Sequence, residues 1–281
     1  MDGLEERLTE IGVLFTLVLA RIGAVVGTAP LLSEGSLPLR VKALMAVAIA
    51  GLITPLTVDS VDGSRLLEAD TLLTYGALAA GEVVIGVALG LGVTIILAGV
   101  QMTGQIVGQM SGMALAEGVD PVFGNNSTVF GQIFYFTATA VFVAMGGHLV
   151  LIEGILDTLE AVPPGSAVFS EGLGKTFIGL MSVSFEVGIR SAAPLMVALF
   201  LATLVLGLIS RTLPQINTIV VGFGVNAMFT IGVMMVAIGT VAWAFQAPIG
   251  NAIDSLVDSI VNPDAAQLTT PPAPSVPVPS T

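Results

Sequence analysis

The chain has 281 residues, of which 54% are hydrophobic and only 10% are charged, and its formal net charge is −12. A soluble domain carries about 25% charged residues, so this composition predicts an integral membrane protein and excludes an ordinary soluble domain. The acidic balance argues against nucleic acid as a partner, and the absence of cysteine excludes disulfides, thiol nucleophiles and iron–sulfur sites.

Six apolar helical segments are predicted along the chain, and several of them reach the roughly 20 residues that cross a bilayer core. In chain order they cover about residues 11–32, 41–56, 72–100, 128–145, 177–209 and 218–245. The fourth segment continues as an amphipathic stretch that stops at Pro163 and Pro164. The expected fold class is therefore an all-α membrane protein with about six long hydrophobic helices.

The two ends of the chain differ in composition from the apolar middle. Residues 1–10 form an acidic N-terminal extension without the basic region of a signal peptide. Residues 261–281 are rich in proline, and this tail is expected to be disordered. Between them, residues 11–260 are predicted to form a single helical domain.

Basic residues do not decide the orientation in the membrane. With six spans, each side receives three of them: Arg7, Arg65 and Lys175 on one side, and Arg40, Lys42 and Arg211 on the other. The positive-inside rule therefore gives a tie. Most acidic residues fall on the side of the termini, which favours termini outside the cytoplasm.

Four charged residues lie inside the apolar segments, where charges usually pair or face a cavity: Arg21, Glu82, Glu186 and Arg190. Glu186 and Arg190 are four residues apart, which places them on one helix face in the favourable order. They form either a structural or interfacial pair or a coupling element. Arg21 and Glu82 are isolated in sequence, so they can pair with each other, with another subunit or with water in a channel.

No catalytic, cofactor or metal site is predicted. His148 has no partner at metal-ligand spacing, and a place at a helix start or at the membrane interface explains it better. The serine in "GQMSGM" lacks the strand–turn–helix context and the positioned base of a hydrolase nucleophile.

The stretch "QMTGQIVGQMSGM" repeats the pattern Gln-x-x-Gly three times. Its notable residues are Gln101, Met102, Gly104, Gln105, Gly108, Gln109, Met110, Gly112 and Met113. On a helix, a spacing of four places the glycines on one stripe and the glutamines on an adjacent one. Close helix packing explains the glycines but leaves the glutamines and methionines unexplained. The alternative is an adaptable, uncharged loop in the middle of the fold that closes a wide pore.

Four stretches together resemble the FliR family, export-gate subunits of flagellar and virulence-associated type III secretion. They are "LLSEGSLPLRVK" (31–42), "GVALGLGVTIILAGVQMTGQIVGQMSGMALAEGVDP" (86–121), "GGHLVLIEGILDTLEAVPPG" (146–165) and "AAPLMVALFLATLVLGLISRTLPQINTIVVGFG" (192–224). They occur in the family's order across residues 8–257. Gly146 replaces the usual asparagine, and Gly224 stands where a proline commonly follows Gly-Phe.

The resemblance implies helical hairpins that pack against partners, largely above the membrane plane. Such a protein joins two other small export-gate membrane subunits in a helical hetero-oligomer, beside further export-apparatus membrane proteins, in the inner membrane at the flagellar basal body. A plug segment, residues 101–121 here, closes the channel through which unfolded substrates pass. The hairpin loop 210–217 would face the cytoplasm.

Three alternatives stay open on the residues themselves. A virulence-type export gate would use the same helices and the same plug segment. A secondary transporter would need Glu82 as its ion site, together with inverted internal repeats, of which the chain has no convincing pair. A structural membrane scaffold would conduct nothing.

Overall fold

The computed structural model describes residues 2–30, 37–58, 71–112, 128–167, 171–212, 218–244 and 246–261. These ranges contain eight α-helices and no strand. The helices are α1 (Asp2–Thr28), α2 (Leu39–Thr57), α3 (Leu72–Met110), α4 (Val129–Ala144), α5 (Gly147–Ala161), α6 (Glu171–Thr212), α7 (Thr218–Ala244) and α8 (Gln246–Val261).

Four of these helices, α1, α2, α3 and α6, are long and apolar enough to cross a membrane. The pair α4 and α5 becomes a fifth candidate among the described residues if it is counted as one broken span. The prediction of an all-α membrane protein is therefore confirmed.

The fourth predicted segment and its amphipathic continuation are two separate helices. The break lies at Gly146, whose φ of 77° is in the left-handed region that glycine adopts without a steric penalty. The Gly146 N–H bonds to the carbonyl of Val143, which closes the end of α4.

Helix α8 was not predicted. Asp254 and Asp258 are exposed, whereas four apolar residues at helical spacing are buried: Ile249, Ala252, Ile253 and Leu256. Helix α1 already begins at Asp2, so most of the acidic extension is helical. The proline-rich tail from residue 262 onward lies outside the described residues.

The expectation of a loop at the Gly/Gln/Met-rich stretch is wrong for residues 101–110, which continue α3 without interruption. Each glycine costs an isolated helix about 1 kcal/mol relative to alanine, and that cost favoured the loop interpretation. Here Gly104 and Gly108 permit a close contact with α4 that offsets this cost. Met113 and the rest of the plug segment lie outside the described residues.

The chain divides into two compact units, and each is discontinuous in sequence. The first unit contains Met1–Gly92, Leu151–Gly179 and Ile253–Thr281, and the second contains Val93–Val150 and Leu180–Ala252. The single domain expected for residues 11–260 stays a prediction.

In the first unit, α3 lies against α1 at Gly86. A methyl group added there would meet the backbone carbonyl of Arg21 and would lie 2.8 Å from the Cβ of Ala24. The second unit has its own core, which contains Ile96, Leu97, Phe134, Leu195 and Leu199.

Candidate pore plug and buried charge cluster

The glycine stripe of the plug segment packs against the first turn of α4. A Cβ added at Gly104 would collide with the Phe130 carbonyl and would lie 2.7 Å from the Cα of Gly131. A Cβ added at Gly108 would lie 3.1 Å from the Thr128 hydroxyl oxygen, which itself accepts a hydrogen bond from the Gly131 N–H. The two backbones therefore approach as closely as a small-xxx-small stripe allows.

The neighbouring face of α3 packs in the same way against α6. A Cβ added at Gly188 would lie 2.6 Å from both the Gly99 carbonyl oxygen and the Met102 methyl carbon. The Thr103 hydroxyl donates a hydrogen bond of 3.0 Å to the Gly188 carbonyl. Nearby, the Ser184 hydroxyl donates one of 2.6 Å to a carbonyl of α3. Helix α3 is thus held on two sides within the second unit.

The glutamines and methionines of the segment are less buried than Gly104 and Gly108, although Met102 lies at the contact with α6 and a Cβ added at Gly131 would lie 3.2 Å from the Gln105 Cγ. Gln101 and Gln105 are half-buried, Gln109 is exposed, and Met102 and Met110 are half-buried. The described part of the plug segment therefore has one face of tightly packed glycines and, beside it, uncharged polar and flexible side chains that are partly exposed.

Gly112 differs from the other two glycines of the repeat. Its φ is 77°, and a Cβ there would meet no atom within 4 Å. It turns the chain at the end of α3, where its N–H bonds to the Gln109 carbonyl. The side chain of Asn226 in α7 donates a hydrogen bond of 2.8 Å to the carbonyl of Ser111, the residue just before this turn.

The charges of the first unit form one fully buried cluster. The Arg21 Nε lies 2.6 Å from the Glu82 Oε2, and both side chains are 0% exposed. The Arg21 Nη2 donates to the Val162 carbonyl at 3.0 Å, and the Gly165 N–H donates to the Glu82 Oε1 at 2.9 Å. Arg21 and Glu82 therefore pair with each other, one of the three arrangements open from the sequence, and together they bind the turn after α5.

This cluster occupies Glu82 fully, since each of its carboxylate oxygens has a partner. The Arg21 Nη1 is buried and has no hydrogen-bond partner among the described residues. Removing one partner of a buried ion pair strongly destabilises a protein, because the other charge is left buried without a counter-charge. The arrangement suits a structural junction better than an ion-binding site.

Glu186 and Arg190 pair on the surface. Their charged atoms are 2.7 Å apart, and their side chains are 60% and 79% exposed. His148 is exposed in the first turn of α5, the helix-start position expected for it. The described residues bring together no group of three or more histidines and carboxylates that could hold a metal ion.

The partners of the plug segment on α6 and α7 were not predicted from the sequence. Gly99 and Gly188 lack a regular spacing that would join them to the glycine repeat. A contact of Asn226 with another helix could have been predicted, because an amide in a helix without charged residues usually hydrogen-bonds to a neighbouring helix.

Comparison with known proteins gives consistent results. Residues 13–252 match the model of the family "Bacterial export proteins, family 1". The chain is 32% identical over 223 residues to the flagellar biosynthetic protein FliR of Escherichia coli (strain K12), covering 78% of this chain and 81% of that protein. It is 30% identical to the FliR protein of Bacillus subtilis (strain 168), covering 74% of this chain and 79% of that protein.

Proposed function

Since this chain belongs to family 1 of the bacterial export proteins and to the FliR group of flagellar biosynthetic proteins, we infer that it is a subunit of the flagellar protein export gate. It is an integral protein of the inner membrane, and it associates with other membrane proteins of the export apparatus. Its role is structural and transport-related, and we propose that it has no enzymatic activity.

Within the gate, we propose that this chain joins two other small membrane subunits in a helical hetero-oligomer. The exposure of α6 supports this arrangement, because only 17% of its most apolar 18-residue stretch is buried within the chain. Large side chains such as Phe185, Phe200 and Leu208 are more than half exposed. Apolar faces of this size are covered by lipid or by other subunits.

We further propose that the plug segment closes the channel at rest and yields to unfolded export substrates. The observation that carries this proposal is the division of residues 101–112 into two faces. The glycine face anchors the segment to α4, while the exposed Gln109 and the half-buried Met110 lie on a different face that can fill the pore. Uncharged amides hydrogen-bond without a fixed charge, and methionine adapts to irregular gaps.

The transporter alternative is not supported by the charge cluster. It requires Glu82 to exchange ions, but both carboxylate oxygens are occupied and the side chain is fully buried. The matched relatives named above are flagellar proteins, which favours the flagellar over the virulence-type gate.

Deleting residues 114–121 should leave an assembled gate that leaks ions at rest. The deletion removes the part of the plug segment beyond α3 and spares the glycine contacts with α4, so co-purification with the other gate subunits should remain. The resting conductance of reconstituted gates measures the leak.

The control is a deletion of the same length in a different connecting segment, residues 61–68, which should assemble and stay tight. If the 114–121 deletion assembles normally and conducts no more than the control, the plug proposal is wrong. The segment would then act only in helix packing.

We propose that the hairpin loop 210–217 faces the cytoplasm and both termini face the other side. The chain has no cysteine, so single cysteines report topology without background. Thr212→Cys, at the exposed end of α6, should react with a membrane-impermeant maleimide only in inside-out vesicles, and Ser64→Cys only in intact spheroplasts. The reverse pattern would overturn this orientation.

A further inference from the structure

The side chain of Asn226 in α7 makes a hydrogen bond to the end of α3 that apolar packing of α7 does not require. Helix α7 has no charged residue, and Asn226 is its only amide side chain. The Nδ2 donates to the Ser111 carbonyl at 2.8 Å, whereas the Oδ1 is buried without a partner among the described residues. An unpaired buried acceptor is unfavourable, so a leucine or methionine would suit this apolar helix better on stability alone.

The hydrogen bond from Asn226 to Ser111 lies at the C-terminal end of α3, where the plug segment continues beyond the helix. The last carbonyls of a helix lack intrahelical donors, and Asn226 supplies one from a different helix. The next residue, Gly112, has a positive φ and open space around it. The backbone at Gly112 can therefore rotate with little steric resistance, while the carbonyl just before it is held by α7.

We propose that Asn226 is a positioning residue of the gate, which holds the neck of the plug segment, Ser111 and Gly112, in the closed arrangement and releases it on opening. This inference rests on the proposed plug function. A single interhelical hydrogen bond favours one of two states by roughly three- to tenfold. That is enough to bias the plug toward closure and small enough for an incoming substrate chain to overcome.

Two substitutions remove the donor in different ways. Asn226→Leu and Asn226→Met both remove the Nδ2 and the unpaired Oδ1, the first with a branched and the second with an unbranched apolar side chain. Both should raise the resting conductance of reconstituted gates at least threefold at an unchanged yield of co-purified gate. Asn226→Gln keeps a donor on a longer side chain and should leak less than either.

The matched control is Thr230→Val, one turn further along α7. The Thr230 hydroxyl is buried and bonds only to the Asn226 carbonyl of its own helix, so its loss should change neither conductance nor yield. The inference fails if Asn226→Leu and Asn226→Met assemble and stay as tight as the wild type. It also fails if both abolish assembly, because Asn226 would then be a folding residue.

The outcome separates this inference from the plug proposal. If the 114–121 deletion leaks and the Asn226 variants do not, only the role of Asn226 is wrong. If the deletion does not leak either, the plug proposal itself is wrong.

Discussion

Replacing Glu82 by alanine should prevent the chain from accumulating as a folded protein. The substitution leaves the Arg21 guanidinium buried without its counter-charge and the Gly165 N–H without its acceptor. Breaking a buried ion pair from one side costs about 3–5 kcal/mol, a large part of the 5–15 kcal/mol that typically holds a protein folded. The amount of full-length protein in membranes and its resistance to protease measure the effect.

The double variant Arg21→Met with Glu82→Gln should restore most of the accumulation. It removes both charges and keeps an oxygen that can accept from the Gly165 N–H. Replacing both members of a buried pair is often close to neutral.

Glu186→Ala provides the matched control on the surface. Its pair with Arg190 lies on the outside of this chain and no other group of the chain depends on it, so the loss leaves no unpaired charge in the chain's own core and accumulation should fall far less than with Glu82→Ala. Wild-type levels of Glu82→Ala would show that the cluster does not stabilise the fold.

Gly104→Ala should reduce flagellar export at least tenfold. The added methyl group would overlap the Phe130 carbonyl and the Gly131 Cα, and these are backbone atoms that no side-chain rotation can move away. Helices α3 and α4 must therefore separate, and such overpacking costs typically about 1–3 kcal/mol. Secretion of a flagellar substrate into the medium and swimming motility measure the loss.

Gly108→Ala tests the same stripe four residues later under milder crowding. Its added methyl group would lie 3.1–3.2 Å from Thr128 side-chain atoms only, and that side chain can shift by a few tenths of an ångström. This variant should retain most of its export. Equal export by the two variants would contradict the close approach of the backbones at Gly104.

The sequence was sufficient for the helical membrane class, because long apolar runs admit few other structures. It was not sufficient for the partner of Glu82. Arg21 lies 61 residues away, and hydropathy does not encode which helices become neighbours. The contact of Gly165 with Glu82 could not be predicted from the sequence either. It is made by a backbone N–H, which every residue except proline carries.

The Gly/Gln/Met-rich stretch shows a different limit. The glycine stripe pointed to close packing, and at Gly104 and Gly108 that explanation agrees with the structure. A loop was expected because glycine has a low intrinsic helix propensity. The contacts with neighbouring helices outweigh that propensity, so residues 101–110 are helical. Gly112 belongs to the same repeat but ends the helix, a difference that the repeat itself does not indicate.

The buried charge cluster also sets an order of events during synthesis. Glu82 follows Arg21 by 61 residues and Gly165 follows Glu82 by 83, so at ~5–20 residues per second the ribosome supplies these groups roughly 3–12 s and then 4–17 s apart. During the second interval the whole of residues 93–150 emerges, which belongs to the other unit. The first unit is therefore still incomplete when the second unit begins to emerge. If the ribosome stalls before Gly165, the Glu82 carboxylate can pair with Arg21 but lacks its second partner, the Gly165 N–H.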